Sequence, residues 1–267
     1  MAGQGKQQSR FVRALGASIA TVRADAGFFG LVWLGYGAAE FALSKLPHAG
    51  IGPGTTLVLW PVLAKVSVEV LVFAALNAAV GARLRAGPDS EIGEVLQQAL
   101  RLAPRMTMIM GVLGLPTILA TIAVMLLYPL GPRLVPFITL AGWVIRWMIF
   151  LAFGLAPALL AMRERGIAVS LFASERLLRG NRVLTFSVVF VLDAAQQLLG
   201  LPVTLPSISQ RFGLPFAGEV LAEDGGAVYL IAIAGLYAVL YAVALWYLAE
   251  IFGGRRETSD QTADVFS

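Results

Sequence analysis

The chain has 267 residues, of which 58% are hydrophobic and 13% are charged, and its mean hydropathy is +0.79. This composition excludes an ordinary water-soluble domain. The net charge of +4 comes with no basic stretch interleaved with exposed aromatic residues, so we expect no nucleic-acid partner. The absence of cysteine excludes thiol catalysis and cysteine-ligated metals, and His48, the single histidine, leaves no material for a histidine-rich site.

Six long apolar stretches follow one another along the chain. A membrane-spanning helix needs about 20 mainly apolar residues, and in hydrocarbon its backbone groups must be hydrogen-bonded within the protein. The stretches are continuous rather than alternating, which favours helices over barrel strands. The sequence therefore predicts an all-α polytopic membrane bundle with six transmembrane helices at about 27–46, 55–82, 106–130, 136–162, 183–203 and 226–252.

These six spans define the predicted domain organisation. Residues 9–253 form a single membrane domain, and the polar ends, residues 1–8 and 254–267, are predicted to be disordered cytoplasmic segments.

A segment with one apolar face precedes each odd-numbered span, which predicts three amphipathic helices on the cytoplasmic side. The segments cover residues 9–23, 90–105 and 167–182. Each forms, with the two spans after it, a unit of about 80 residues that we interpret as a triplicated repeat. The segments either rest at the acyl boundary or pack on the bundle, and the two interpretations are compatible. Their predicted apolar faces are Phe11, Leu15, Ile19 and Val22; Ile92, Val95, Leu96 and Leu100; and Ile167, Leu171 and Leu178.

The positive charges are distributed unevenly between the two sides. Fifteen of the 20 Lys and Arg residues fall in the N-terminal segment, the second–third connection, the fourth–fifth connection and the tail. This bias predicts that both termini are cytoplasmic. We expect arginines of the amphipathic segments to bind anionic lipid headgroups. The candidates are Arg10, Arg13, Arg101, Arg105, Arg176, Arg179 and Arg182.

Ionisable side chains inside the predicted spans form the candidate site. Each costs at least about 2.5–3.5 kcal/mol on insertion scales and therefore needs a structural or functional reason. Counted from the span ends, all fall in the middle or outer half of the bilayer. They are Glu40, Lys65, Glu69, Arg146 and Asp193, with the amide of Gln196 close to Asp193.

Two interpretations of these residues stay open. Lys65 and Glu69 are four residues apart on one helix, which predicts a local ion pair, and Arg146 is expected to pair with Asp193 or Glu40. Such pairs would fix the register of the helices. Alternatively, the same residues line a polar cavity, as in a transporter.

A stretch around the fourth span resembles a known family. Arg146-Trp-Met-Ile-Phe-Leu-Ala-Phe-Gly-Leu-Ala-Pro157 is followed by Glu164-Arg-Gly166 and Ser174-Glu-Arg-Leu-Leu-Arg-Gly180-Asn-Arg182. This pattern resembles the six-span membrane domain fused to some bacterial glycerophosphoryl diester phosphodiesterases, and similar stand-alone bacterial membrane proteins. The resemblance implies a bacterial cytoplasmic membrane. The metal-binding residues of the hydrolytic domain have no counterparts here, so phosphodiesterase activity is not implied.

Two classes of function follow from these observations. We expect first a non-enzymatic interaction, scaffold or regulatory component of a membrane or lipid-linked process, with a membrane-protein partner or a second copy of the chain. The alternative is a secondary transporter or a permease for a lipid or small molecule that uses the intramembrane charges. No Gly-x-Gly-Asp pattern, histidine dyad or Asp-rich phosphotransferase signature is present, so we expect neither catalysis nor a cofactor.

Overall fold

The computed structural model describes residues 2–44, 59–127, 131, 135–163, 166–212 and 223–264, and these residues contain helices but no strand. The helices are α1 Ala2–Ala24, α2 Ala26–Ser44, α3 Leu59–Ala86, α4 Ile92–Leu127, α5 Val135–Phe153, α6 Ala156–Arg163, α7 Ile167–Leu178, α8 Arg182–Phe212 and α9 Glu223–Asp264.

Five segments among the described residues are long and apolar enough to cross a membrane. They match five of the six predicted spans, so the chain is an all-helical, multi-pass membrane protein. The segments are Ala26–Leu43, Ala64–Ala86, Ile92–Val124, Pro136–Arg163 and Val228–Gly253. The other predicted span, residues 183–203, lies in α8. The side chains of α8 are described only in part, so this crossing stays a prediction.

The predicted span at 136–162 is not one continuous helix. α5 ends at Phe153, because Pro157 lacks an N–H and its ring excludes the Phe153 carbonyl from its helical position. The N–H of Leu155, freed at this break, donates to the hydroxyl of Ser174 on α7 at 3.1 Å. Ser174 is fully buried, so α7 is part of the bundle and stabilises the break in its neighbour.

The predicted apolar faces of the amphipathic segments are confirmed only in part. Seven of their eleven residues are buried or packed against the core: Phe11, Leu15, Val22, Val95, Ile167, Leu171 and Leu178. The second is not a separate helix, since α4 continues through Pro104 into the span. Four residues of the predicted apolar faces are instead exposed: Ile19 at 59%, Ile92 at 49%, Leu96 at 51% and Leu100 at 74%. Between helices in lipid, small side chains allow the closest packing, whereas large apolar ones gain little from leaving the acyl chains.

The buried positions of these segments combine small side chains with three larger apolar ones, Val95, Leu102 and Leu178. All three pack on the bundle, as one interpretation predicted, while contact of their other faces with the acyl boundary stays a prediction. The buried residues are Ala14 and Ser18 of α1; Val95, Ala99 and Leu102 of α4; and Ser170, Ser174 and Leu178 of α7.

The helices extend further into both termini than predicted. α1 begins at Ala2 and α9 continues to Asp264, so the described backbone of residues 2–8 and 254–264 is helical. Gln, Lys, Arg and Glu are good helix formers, and no proline interrupts either end.

The packing follows a threefold order. α3, α6 and α9 contact one another at the centre, while α2 packs on α9 and α3, α4 packs on α3 and α5, and α8 packs on α9 and α5. The three amphipathic segments lie in α1, in the first part of α4 and in α7. Of these helices, α1 packs on α9, α4 packs on α3, and α7 packs on α6 and α5. Each segment that begins a predicted unit therefore packs on the last span of the preceding unit, taken cyclically.

The fully buried side chains are concentrated at one end of the bundle, which we call the packed end. It combines the first halves of α2, α4 and α8 with the last halves of α3 and α9 and with α6. Phe29, Val80, Met106, Leu160 and Leu248 are all at most 2% exposed there. This end is a dry core.

Close approach of two helix backbones contributes to this core. A Cβ atom added to Gly81 of α3 would lie 2.4 Å from the Cβ of Ala161 on α6. Only glycine permits this separation at the centre of the bundle.

The seven candidate lipid-binding arginines lie on the helices of the packed end. Six have exposed side chains and Arg10 is half-buried. Arg179 also donates to Glu175 at 2.6 Å, an exposed pair within α7 and its cap. Their exposure leaves them accessible to headgroups, and lipid binding itself stays a prediction.

A buried arginine joins several segments at the packed end. Arg83 of α3 donates to the carboxylate of Asp25, to the backbone oxygen and hydroxyl of Ser90 at 2.8 and 3.1 Å, and to the carbonyl of Pro88 at 2.7 Å. Its guanidinium carbon also lies 5.2 Å from the centre of the Phe28 ring. We call this group the Arg83 cluster. From the sequence alone, Arg83 is only one of the positive charges between the second and third predicted spans.

Candidate functional site: an intramembrane cavity

A cavity of about 580 Å³ lies between the helices that contain the six predicted spans. α2, α3, α4, α5, α8 and α9 all contribute to its walls, and Pro157 of α6 lies at its lining as well. Phe150, Tyr241 and Leu245 line it toward the packed end. The cavity therefore borders the dry core at Leu245 and extends from it toward the other end of the bundle.

Five of the six candidate residues predicted within the spans line this cavity: Glu40, Glu69, Arg146, Asp193 and Gln196. They come from four helices, which explains why only the fold brings them together. The sixth, Lys65, lies one turn from Glu69, and its Nζ atom is 4.0 Å from the Glu69 carboxylate. The predicted Lys65–Glu69 pair is therefore confirmed.

The charged side chains form two groups within the cavity. In the first, Glu40 of α2 and Glu69 of α3 are close enough to repel each other, and both act electrostatically on Tyr36. In the second, Asp193 of α8 and Arg146 of α5 both act on Tyr237 of α9. Each group joins side chains from different helices.

The predicted direct pairing of Arg146 is wrong. Within the described part of the chain, neither Asp193 nor Glu40 lies within 4.0 Å of its guanidinium, and the Arg146 side chain is exposed. The reason is the cavity itself, which separates α5 from α2 and leaves room between α5 and α8. The charges thus face a shared space instead of cancelling one another in contact.

Aromatic rings form a continuous wall of this cavity. The ring centre of Phe73 lies 6.4 Å from Tyr36 and 6.1 Å from Tyr241, and Tyr241 lies 5.9 Å from Phe150 and 5.7 Å from Tyr237. Rings at these separations stabilise one another and hold the wall in place.

The tyrosines of this wall were not among the predicted site residues. A signal was present, since Tyr36 lies four residues before Glu40, and Tyr237 four residues before Tyr241, so each pair shares one helix face. Without the fold, nothing showed that the two faces meet at one cavity.

The cavity and the packed end are arranged along the bundle axis. Glu40 is near the last turn of α2, and Ala234, which also lines the cavity, is near the first apolar turns of α9. Chain segments 45–58, 128–134 and 213–222 connect the helices at this end and, apart from Gly131, lie outside the described residues. With the predicted orientation, the cavity faces the non-cytoplasmic side.

The chain matches no family model, no curated protein and no solved structure. The resemblance to the membrane domain of glycerophosphoryl diester phosphodiesterases therefore stays a prediction.

Proposed function

We propose that this chain is a multi-pass protein of the bacterial cytoplasmic membrane, with both termini in the cytoplasm, that binds a small molecule in the intramembrane cavity and acts as a permease without chemical catalysis. The observation that carries this proposal is the gathering of Glu40, Glu69, Arg146 and Asp193 around one cavity of about 580 Å³. Ionisable groups in a membrane interior are retained for a function when structure alone does not require them.

The size of the cavity supports this function. Small-molecule sites are commonly clefts of about 300–1,000 Å³, mostly apolar, with a few polar groups that orient the ligand. The cavity has the same composition: its aromatic wall supplies apolar contact, and its four charged side chains and one amide supply the polar groups that orient a ligand.

The dry core supports transport rather than an open pore. The fully buried side chains of the packed end lie between the cavity and the predicted cytoplasmic side. This arrangement corresponds to a site accessible from one side only, as alternating access requires. The broken α5–α6 segment contributes Pro157 to the cavity and Leu160 to the dry core, so movement at the break would change both.

The scaffold function is the second candidate. Large apolar side chains of the three amphipathic segments, Val12, Leu100 and Phe172, are exposed at 63%, 74% and 71% beside the exposed arginines. Such a surface fits contact with anionic lipids or with another membrane protein. It does not explain why charges gather inside the bundle, which is why we place the permease first.

Native mass spectrometry of the protein extracted in its own lipid patch tests the permease proposal. Ala234→Trp places an indole inside the cavity, and Leu236→Trp is the matched control, because Leu236 lies on the same helix and is exposed outside the cavity. We expect a retained small molecule in the native protein and in Leu236→Trp, and its loss in Ala234→Trp.

The opposite results favour the scaffold. If the native protein retains no small molecule but carries a stoichiometric protein partner, and Ala234→Trp keeps that partner, the cavity is not the working site. Comparable thermal stability of the two tryptophan variants is the control for folding.

A further inference from the structure

We propose that the ligand of the cavity is an organic cation with one positive charge and an apolar body. This inference rests on the proposed function and names the class of molecule that the cavity binds. It follows from the charges that line the cavity, from their grouping and from the chemistry of the walls.

The lining carries an excess of negative charge. Three carboxylates line the cavity, Glu40, Glu69 and Asp193, against one guanidinium, that of Arg146. Lys65 is outside the lining but adds a second positive charge, since its Nζ atom lies 4.0 Å from the Glu69 carboxylate. One negative charge is therefore left without a balancing cation, and a ligand with a single positive charge neutralises the cavity.

The grouping places this excess on one side. Arg146 of α5 and Asp193 of α8 both line the cavity and act on Tyr237 with opposite signs, so their charges partly offset each other without direct contact. Glu40 and Glu69 both line the cavity, from α2 and α3, and repel each other, while Lys65 pairs with Glu69 at 4.0 Å. The cationic end of a ligand is thus best placed beside Glu40.

The walls favour the same class of ligand. Tyr36, Phe73, Tyr237 and Tyr241 present aromatic rings beside the glutamates, and a cation over an aromatic face gains electrostatic attraction that increases when water is excluded. Aromatic rings also accept the apolar body of such a ligand.

An anionic ligand fits this cavity poorly. Arg146 is the only cationic side chain among the described lining residues, and Asp193 is nearby. An anion at Arg146 would meet the field of three carboxylates in a partly water-excluded space, where like charges repel strongly.

Two probes of matched shape and opposite charge test the inference. Tetraphenylphosphonium carries one positive charge within four phenyl rings, and tetraphenylborate carries one negative charge in the same shape. Equilibrium binding of each is measured on the full chain in nanodiscs of phosphatidylcholine and phosphatidylglycerol, with empty nanodiscs correcting for partition into lipid. We expect saturable binding of the phosphonium at least about tenfold tighter than that of the borate.

Two variants and one control locate the binding. Glu40→Gln and Glu69→Gln each remove a carboxylate from the cavity at almost constant shape, and we expect each to weaken phosphonium binding by about fivefold or more. Glu94→Gln is the control, because Glu94 is an exposed residue of α4 outside the cavity lining. It should change the affinity by less than about twofold. The comparison of the two probes on the native chain needs no variant, so it decides the inference even if a glutamine variant fails to fold.

The possible results distinguish a failure of the cationic inference from a failure of the proposed function. Equal or tighter binding of the borate, or phosphonium binding that neither glutamine variant weakens, overturns the inference. If the borate binds and Ala234→Trp abolishes its binding, the cavity is a ligand site and only the cationic class is wrong. If neither probe binds saturably, the cationic inference fails, and the retained-ligand comparison of Ala234→Trp with Leu236→Trp decides the proposed function separately.

Discussion

Removal of Arg83 is expected to be among the most damaging single substitutions in the chain. The Arg83 side chain is 8% exposed and that of Asp25 is 19% exposed, so both charges are largely withdrawn from water. Arg83→Ala would leave the Asp25 carboxylate without its partner and would also remove the donors to Ser90 and Pro88.

The magnitude follows from these contacts. Breaking a buried ion pair by deleting one partner costs about 3–5 kcal/mol, because the remaining charge stays buried and uncompensated. The contact of the guanidinium with the Phe28 ring adds about 0.5–2 kcal/mol at such a site. We therefore expect Arg83→Ala to lower the free energy of unfolding by about 4 kcal/mol or more.

The assay is reversible unfolding in bicelles with increasing sodium dodecyl sulfate, followed by tryptophan fluorescence. The double variant with Asp25→Ala completes a mutant cycle, and strong coupling between the two positions is expected because they are in direct contact. Arg101→Ala is the control, since Arg101 is exposed on α4 at the same end. A loss below about 1 kcal/mol for Arg83→Ala, or additive effects of the two positions, would refute this account of the Arg83 cluster.

Three further predictions use the same unfolding assay. Gly81→Val places a side chain against an alanine methyl of α6 and should lower stability by about 1–3 kcal/mol or more, and an unchanged unfolding midpoint would contradict the close packing of α3 and α6. Ser174→Ala removes the acceptor of a buried backbone N–H and should lower stability by about 1–3 kcal/mol. Ser170→Ala should be neutral or stabilising, because the Ser170 hydroxyl is buried and has no hydrogen-bond partner among the described residues. Equal losses of stability in the two variants would contradict this difference. The losses of unfolding free energy caused by Arg146→Ala and Asp193→Asn should add to within about 0.5 kcal/mol in the double variant, because the two side chains are not in contact. Strong coupling would instead show that the two residues form the ion pair predicted from the sequence.

The sequence was sufficient to predict the helical membrane class, because bilayer thickness and backbone hydrogen bonding permit few structures. The bounds of α2 follow closely from the apolar pattern, whereas α3, Leu59–Ala86, is shifted toward the C-terminus from the predicted 55–82. The break before Pro157 could be anticipated as a kink, but its stabilisation by Ser174 of a later helix could not, since that contact joins residues 19 apart.

The candidate site was predicted in its members but not in its geometry. Charges inside spans are visible in any hydropathy pattern, which identified Glu40, Glu69, Arg146 and Asp193. Whether such charges pair or face a cavity depends on how far apart the helices lie, and small residues such as Gly81 of α3 and Gly142 of α5 set that distance only where two helices touch.

The faces of the amphipathic segments show a second limit. An apolar stripe indicates an environment without water, but it does not distinguish lipid from protein. Leu96 and Leu100 are exposed, whereas Ala99 on the same segment is buried. In a membrane the protein-facing side is identified better by small residues than by large apolar ones.

The central claim is that an aqueous, ligand-accessible cavity lies within the membrane and opens away from the cytoplasm. The native chain has no cysteine, so single cysteines can be introduced without a mutated background. Three positions of α9 provide a matched set: Ala234 lines the cavity, Leu236 is exposed outside it, and Val239 is 1% exposed in the core.

Labelling intact cells with a membrane-impermeant maleimide tests this claim most directly, because the reagent needs a thiolate in contact with water. Ala234→Cys should react from outside the cell, while Leu236→Cys in the acyl chains and Val239→Cys in the core should not. An unreactive Ala234→Cys, or equal reactivity at all three positions, would contradict the cavity and with it the proposed permease.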